Sequence, residues 1–378
     1  MATGKAGCLR KVKGFTEKGG KIMRKGSIWG LIFFLVLGLG TALYAAPTKL
    51  VLAHIYPGEL ENNEVHPAVV YFKKLVEERT AGQLTVEIFP GGQLGSEIEY
   101  TREAQAGVTV HSAILSSGAF SSFYRKYQAV VAPYLFPDRL TAWAFFDSKF
   151  FAEFMRDLIK ETGLRYLGTM DDGGGFVALT SSLRQVRKPA DFKGMRVRTE
   201  ENPAHMAIMK ALGASVVPMA WGEVATALAT GVAHAQFNAP SILVWAKMWE
   251  TQKYVSFTNH IYNTLTWVIN DKFFRSLPPD QQRVVLKAAR EAIILSRGLA
   301  AQLSERAIDT LKEKGMELAF LTPEELKAFE KLAKPAFEKW AVEEFKLDPN
   351  LIRSVRQEVE RIAQELDKRY AEFYGVSP

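Results

Sequence analysis

Three residues within the stretch Asp191 to Pro240 have the types and spacing to hold a small organic acid: Arg198, Trp221 and Asn238. A guanidinium is planar and meets a carboxylate with two parallel hydrogen bonds, which lysine cannot reproduce. A flat aromatic packs on an organic body, and an amide supplies one directed hydrogen bond. Each type also has a structural use. Arginines at strand ends are commonly solvated or paired with surface acids, and a tryptophan at a helix start commonly packs in a core.

The surrounding stretch must position them, and it reads as strand, helix, short strand, helix, strand. Met195 and Val197 alternate with Arg196 and Arg198, so both arginines fall on one strand face. Asn202 followed by Pro203 suits a helix start, and Gly213 suits its end. Val216 to Pro218 allows only a brief extended run. A second helix runs from about Trp221 to Thr230 and stops at Gly231. The last strand sets His234, Gln236 and Asn238 on one face, with Ala233, Ala235 and Phe237 on the other. In an open α/β sheet, ligands bind beyond the carboxyl ends of the strands. Arg198 and Asn238 each stand at such an end, and Trp221 opens the helix between them.

The run KGMRVRTEENP…ALGASVVPMAWGEVATALATGV…N closely resembles the solute-binding proteins of TRAP transporters, the tripartite ATP-independent periplasmic carriers, of the dicarboxylate-binding type. Lys193, Gly194, Arg198, Pro218, Met219, Trp221, Glu223, Val224, Leu228, Thr230, Gly231 and Asn238 carry it. The resemblance implies that Arg198 pairs with the substrate carboxylate, that Trp221 packs on the ligand and that Asn238 hydrogen-bonds it. Ser116 and Ser117 end a candidate strand where the family often places ligand contacts, although capping the next segment explains them equally. The fold class implied is α/β, a two-lobed periplasmic-binding-protein fold with a hinge and a long helix spanning both lobes. Lobe I is expected at residues 47–174 plus 265–303, lobe II at 175–264 plus about 330–378, and the bridging helix at 279–315. The implied partners are a small and a large integral-membrane permease subunit, with an ion gradient driving transport.

Departures from the family pattern bear on the ligand. Val177 stands where many members have an arginine. The last strand, usually D-G-x-E-N, reads His234, Ala235, Gln236, Phe237, Asn238 here, and Ala225 and Ala229 replace a tyrosine and a glutamine. One strong cation in a more apolar wall favours a monocarboxylate over a C4 dicarboxylate. Val177 and Gln236 therefore join the ligand-binding candidates.

The remaining sequence bounds the function class. The chain has 378 residues and a net charge of +7, but residues 1–46 hold eight basic side chains and one acid, leaving a neutral body. No polyanion partner follows. Arg24 and Lys25 precede an apolar run from Ile28 to about Tyr44 and then Ala45-Ala46-Pro47, the pattern of a cleaved secretory signal peptide, with Met23 as an alternative start and an uncleaved signal anchor as the alternative reading. That pattern places the mature protein in the periplasm. Cys8, the single cysteine, lies in this leader, so the mature chain has no disulfide. No histidine pair at zinc spacing, no nucleophile elbow and no cofactor motif occurs. Residues 1–46 aside, the chain reads as a binding protein and not an enzyme. A periplasmic enzyme, or a subunit feeding a sensor, is the alternative on the same fold.

Three further features are expected to matter. Gly173, Gly174 and Gly175 read as a hinge or as a surface loop. Pro90 to Gly95 reads as a tight turn, and Glu97, Glu99 and Glu103 as one exposed helical flank.

Overall fold

A computed structural model describes residues 46–377; the signal-peptide segment lies outside the described residues, apart from Ala46. Its strands are β1 (Thr48–Ala53), β2 (Leu84–Phe89), β3 (Ser112–Ser116), β4 (Leu164–Phe176), β5 (Ala178–Ser181), β6 (Arg196–Thr199), β7 (Ser215–Pro218), β8 (Ala235–Asn238), β9 (Tyr254–Phe257), β10 (Tyr262–Asn270) and β11 (Glu317–Phe320). They form two sheets, ordered β2-β1-β3-β10-β4 and β11-β9-β5-β8-β6-β7. The fold class is α/β and two-lobed, as expected.

In the first sheet β1 runs parallel to β2 and β3, and β10 runs antiparallel to β3 and β4. In the second, β6 is parallel to β7 and β8, while β5 is antiparallel to β8 and β9. Parallel strands need helical crossovers, and these cover the sheet faces. The crossover Val65–Arg79 buries Val69, Phe72 and Val76 against the first sheet, where Phe72 meets Trp267 edge-on. Trp267 is fully buried, and its Nε1 donates to the Ser112 hydroxyl at 2.9 Å.

The chain crosses between sheets at β4. Phe176 still pairs with Tyr262 of β10, and Ala178 already pairs with Asn238 of β8. The three glycines are neither a loop nor exposed: all lie within β4, buried, with φ of +66°, +105° and +89°. A Cβ at each would run into Ile242, Ser304 and the Tyr262 ring respectively. Glycine is needed here because other elements press on the strand.

One of those elements is the helix Pro279–Glu313, which starts after Pro278 and ends before Gly315 at φ +83°. Its thirty-five residues extend about 50 Å. Arg297, buried on this helix, donates from Nε and Nη2 to the Thr169 carbonyl at 3.0 and 2.8 Å and from Nη1 to Asp147 at 2.8 Å. The helix is thereby fixed along β4.

The C-terminal helix Pro349–Tyr374 differs in position from the sequence expectation. It packs against the helix Arg139–Phe146 and the turn Arg125–Val131, which sit between β3 and β4 of the first sheet. Its apolar stripe of Ile352, Val355, Val359 and Ile362 reaches over to that half. Sequence periodicity identifies such a stripe but not the surface it covers.

Candidate functional site

The carboxyl ends of five parallel strands point at one cavity of about 580 Å³. From the first half come Ile55 and Pro57 after β1, the turn Gly91–Gly95 after β2, and Ser116 closing β3. Arg198 on β6, Glu200 and Glu201 just beyond it, and Met219 to Gly222 after β7 come from the second half. The turn after β2 is tight because Gly91, Gly92 and Gly95 all take positive φ. It leads into Ser96, which caps the helix Glu97–Ala106 in a reciprocal capping box with Glu99.

The two arginines of β6 have different fates. Arg196 lies at the surface, its guanidinium donating to the carbonyls of Gly231 and Val232. Arg198 is only 3% exposed and lines the cavity. Its Nε and Nη2 donate to the Met219 carbonyl at 3.2 and 2.9 Å, which fixes the fork. Among the described residues, Nη1 has no hydrogen-bond partner and no carboxylate oxygen lies within 4.0 Å of the guanidinium. Trp221 stands beside it, with the Arg198 guanidinium carbon 5.7 Å from the indole centroid, and meets Trp245 edge-on at 5.3 Å.

Asn238 opens onto a smaller cavity of about 30 Å³ that shares Ile55, Glu97, Ser116, Glu200 and Trp221 with the larger one. Its amide donates to Gln236 Oε1 at 2.6 Å, and Gln236 in turn donates to the Thr180 hydroxyl at 3.0 Å. Gln236 is fully buried and lines neither cavity, so it orients Asn238 from behind. Ser116 does two things at once: its hydroxyl caps the next helix at Ala119 N, and its backbone N–H donates to Glu97 Oε1 at 2.6 Å. The Ser117 hydroxyl donates to Asn263 at 2.9 Å, away from the cavities. Val177 is fully buried in the main core and lines neither cavity. Ala225 and Ala229 are exposed and also lie outside the cavity lining.

Acids that the sequence does not assign to the site complete the wall. Glu97 is not part of an exposed flank; as the first residue of its helix, it turns towards the end of β3. Burial, with Glu200 beside it, pushes its carboxyl up to about 7. Burial also raises Glu200, and Arg198 opposes that rise. Asp172, bordering the small cavity, is raised well above the usual carboxylate range by burial; Tyr56 donates to it, as does Asn263 at 2.9 Å. Glu200 was legible in principle. It sits two residues after Arg198, the period that returns a side chain to the same side of an extended chain. Among the described residues, no group of three or more His, Cys, Asp or Glu is arranged to hold a metal ion.

The site can therefore clamp an anion through one desolvated guanidinium, stack it on Trp221 and contact it from both halves. Comparison with known proteins bears on the family. The family model for bacterial extracellular solute-binding protein, family 7, matches residues 58–344. The 2,3-diketo-L-gulonate-binding periplasmic protein of Escherichia coli K12 is 32% identical over 269 residues, covering 71% of this chain and 80% of that protein. The C4-dicarboxylate-binding periplasmic protein of Rhodobacter capsulatus is 28% identical over 309 residues, covering 81% and 90%. A TRAP periplasmic solute-binding protein from Bordetella bronchispeptica, with density interpreted as pantoate, superposes with a TM-score of 0.75 at 29% identity, covering 82% of this chain and 98% of that one. The chain belongs to the DctP family of extracellular solute-binding proteins, those that serve TRAP transporters.

Proposed function

We propose that this protein captures a small monocarboxylate in the periplasm and delivers it to a two-subunit TRAP permease, with Arg198 as the carboxylate's partner. One observation carries the reading: an arginine 3% exposed, lining a cavity, with no acid of the described residues paired to its guanidinium. A buried cation without a counter-ion is costly, and a ligand carboxylate removes that cost. Delivery follows from hinge closure, in which the ligand stabilises the closed form by its higher affinity for it. Export by the basic and apolar segment at the amino end belongs to the same reading.

The relatives include binders of a sugar-derived acid and of C4 dicarboxylates, so the preference for one carboxylate rests on the cavity itself. The apolar wall expected from Val177, Ala225 and Ala229 is not the reason, since none of them lines it. The reason is like charge. Glu97 and Glu200 line both cavities, and Asp172 the smaller one; burial favours their neutral forms, and as Glu97 ionises above about pH 7 a second ligand carboxylate would meet like charge. In a thermal-shift panel, monoacids should raise the melting temperature more than succinate does. A larger shift for succinate contradicts the preference.

Two further outcomes follow. Trp221→Ala should weaken binding by roughly tenfold, as expected for the loss of one packed aromatic worth ~1.5 kcal/mol, and should reorder affinities across the panel. An unchanged order by calorimetry removes Trp221 from the contact set. For a plain anionic monoacid, the dissociation constant should rise between pH 6 and 8. Glu97 is neutral below about 7 and charged above it, while Glu200 and Asp172 are raised as well and Arg198 stays cationic throughout. A flat pH profile contradicts the placement of Glu97 against the ligand.

A further inference from the structure

We propose that the ligand is zwitterionic: a monoacid that also carries a positively charged nitrogen, held between Glu97 and Glu200. The inference rests on Arg198 as the carboxylate's partner and goes on to name the other end of the molecule. Glu200 Oε2 is buried and has no hydrogen-bond partner among the described residues. Its nearest basic neighbour is His205 Nδ1 at 3.7 Å, and both ring nitrogens of His205 are themselves buried and unpartnered. Burial lowers the His205 pKa to about 3, so that ring is neutral and supplies no counter-charge.

Glu97 approaches from the other half. Its Oε1 is taken by Ser116 N–H at 2.6 Å, while Oε2 has only the Ser116 hydroxyl at 3.3 Å. Neither glutamate has a lysine or arginine nitrogen within 4.0 Å among the described residues. The wall thus holds one cation and two acids that act on one another through space, with no ion pair among them, all lining one cavity of about 580 Å³.

A simple acid would satisfy Arg198 and leave both glutamates unmatched. A hydroxy acid would donate one neutral hydrogen bond. An ammonium donates several charge-assisted bonds and adds the missing positive charge, so it answers both acids at once. It also bridges the two halves, because Glu97 belongs to the first and Glu200 to the second. Closure around such a ligand is reinforced from each side.

The test is isothermal titration of the full mature protein with length-matched sets of three to six carbons. Each set contains the unsubstituted acid, the ω-hydroxy acid, the α- and ω-amino acids and the dicarboxylate. At the best length, an amino acid should bind at least roughly tenfold more tightly than its hydroxy partner. Glu200→Gln should lower the amino-acid affinity and bring that ratio towards one. The inference is overturned if no amino acid in any set exceeds its hydroxy partner, and the wild-type panel decides this whether or not the variant folds. Arg198→Ala separates the two readings. If it weakens every acid but the ratio is already one, only the zwitterion is wrong. If it weakens none, the carboxylate assignment has failed.

Discussion

Arg198→Ala weakens ligand binding by two orders of magnitude or more while the protein stays folded. A charge-assisted hydrogen bond contributes about 1.5–3 kcal/mol, and a bidentate carboxylate pair uses two. Each ~1.4 kcal/mol is a factor of ten. The guanidinium is held in place before ligand arrives, since Nε and Nη2 already donate to the Met219 carbonyl, so little is spent on ordering it. Arg198→Lys should recover only part of the loss, because the ammonium keeps the charge but not the fork. Truncation leaves the Met219 carbonyl facing a cavity that water can enter, so stability should fall by about 1 kcal/mol. Calorimetry on a ligand carried through purification measures the first effect and a thermal melt the second. Equal affinities for wild type and Arg198→Ala would remove the assignment.

Gly175→Ala is expected to be the costliest small substitution between the two sheets. The residue has φ +89°, a region in which an L side chain costs about 1–2 kcal/mol. A Cβ there would collide with the Tyr262 ring. Tyr262 cannot swing aside freely: its hydroxyl donates to Asp171 at 2.7 Å, and Trp143 Nε1 donates to the same carboxylate at 2.8 Å. Overpacking of this kind costs about 1–3 kcal/mol. The sum, about 2–5 kcal/mol, should lower the melting temperature by about 3–7 °C. Gly163→Ala is the control, with φ +75° but nothing near its Cβ, and should show only the backbone part. Equal melting temperatures for the two variants would mean that Tyr262 does not press on β4.

The contrast between these glycines explains what was legible in the sequence. Local punctuation was readable. Asn202 caps the helix Pro203–Ala211 through His205 N, and Gly213 follows that helix at φ +99°, both as the residue types suggest. The alternation in β6 placed Arg196 and Arg198 on one face, and tertiary contacts then separated them into a surface and a buried residue. What presses on Gly173–Gly175 comes from Ile242, Ser304 and Tyr262, far along the chain, so local sequence cannot show that they are buried. Helical spacing groups Glu97 with Glu99 and Glu103 as a solvated flank. Its position at the first turn, where side chains can reach out past the helix end, sends it to Ser116 instead. The arginine that Val177 replaces in many relatives says little about its place here; its burial in the core decides what it does.

Arg198, Trp221 and Asn238 are brought together around adjoining cavities, and Ser116 joins them through Glu97. A crystal structure of the protein with its co-purified solute tests the central claim most directly. A ligand carboxylate should lie within hydrogen-bond distance of Arg198 Nη1, with the body of the molecule against Trp221. A bound solute whose carboxylate lies elsewhere, with the Arg198 fork still unpaired, would contradict it.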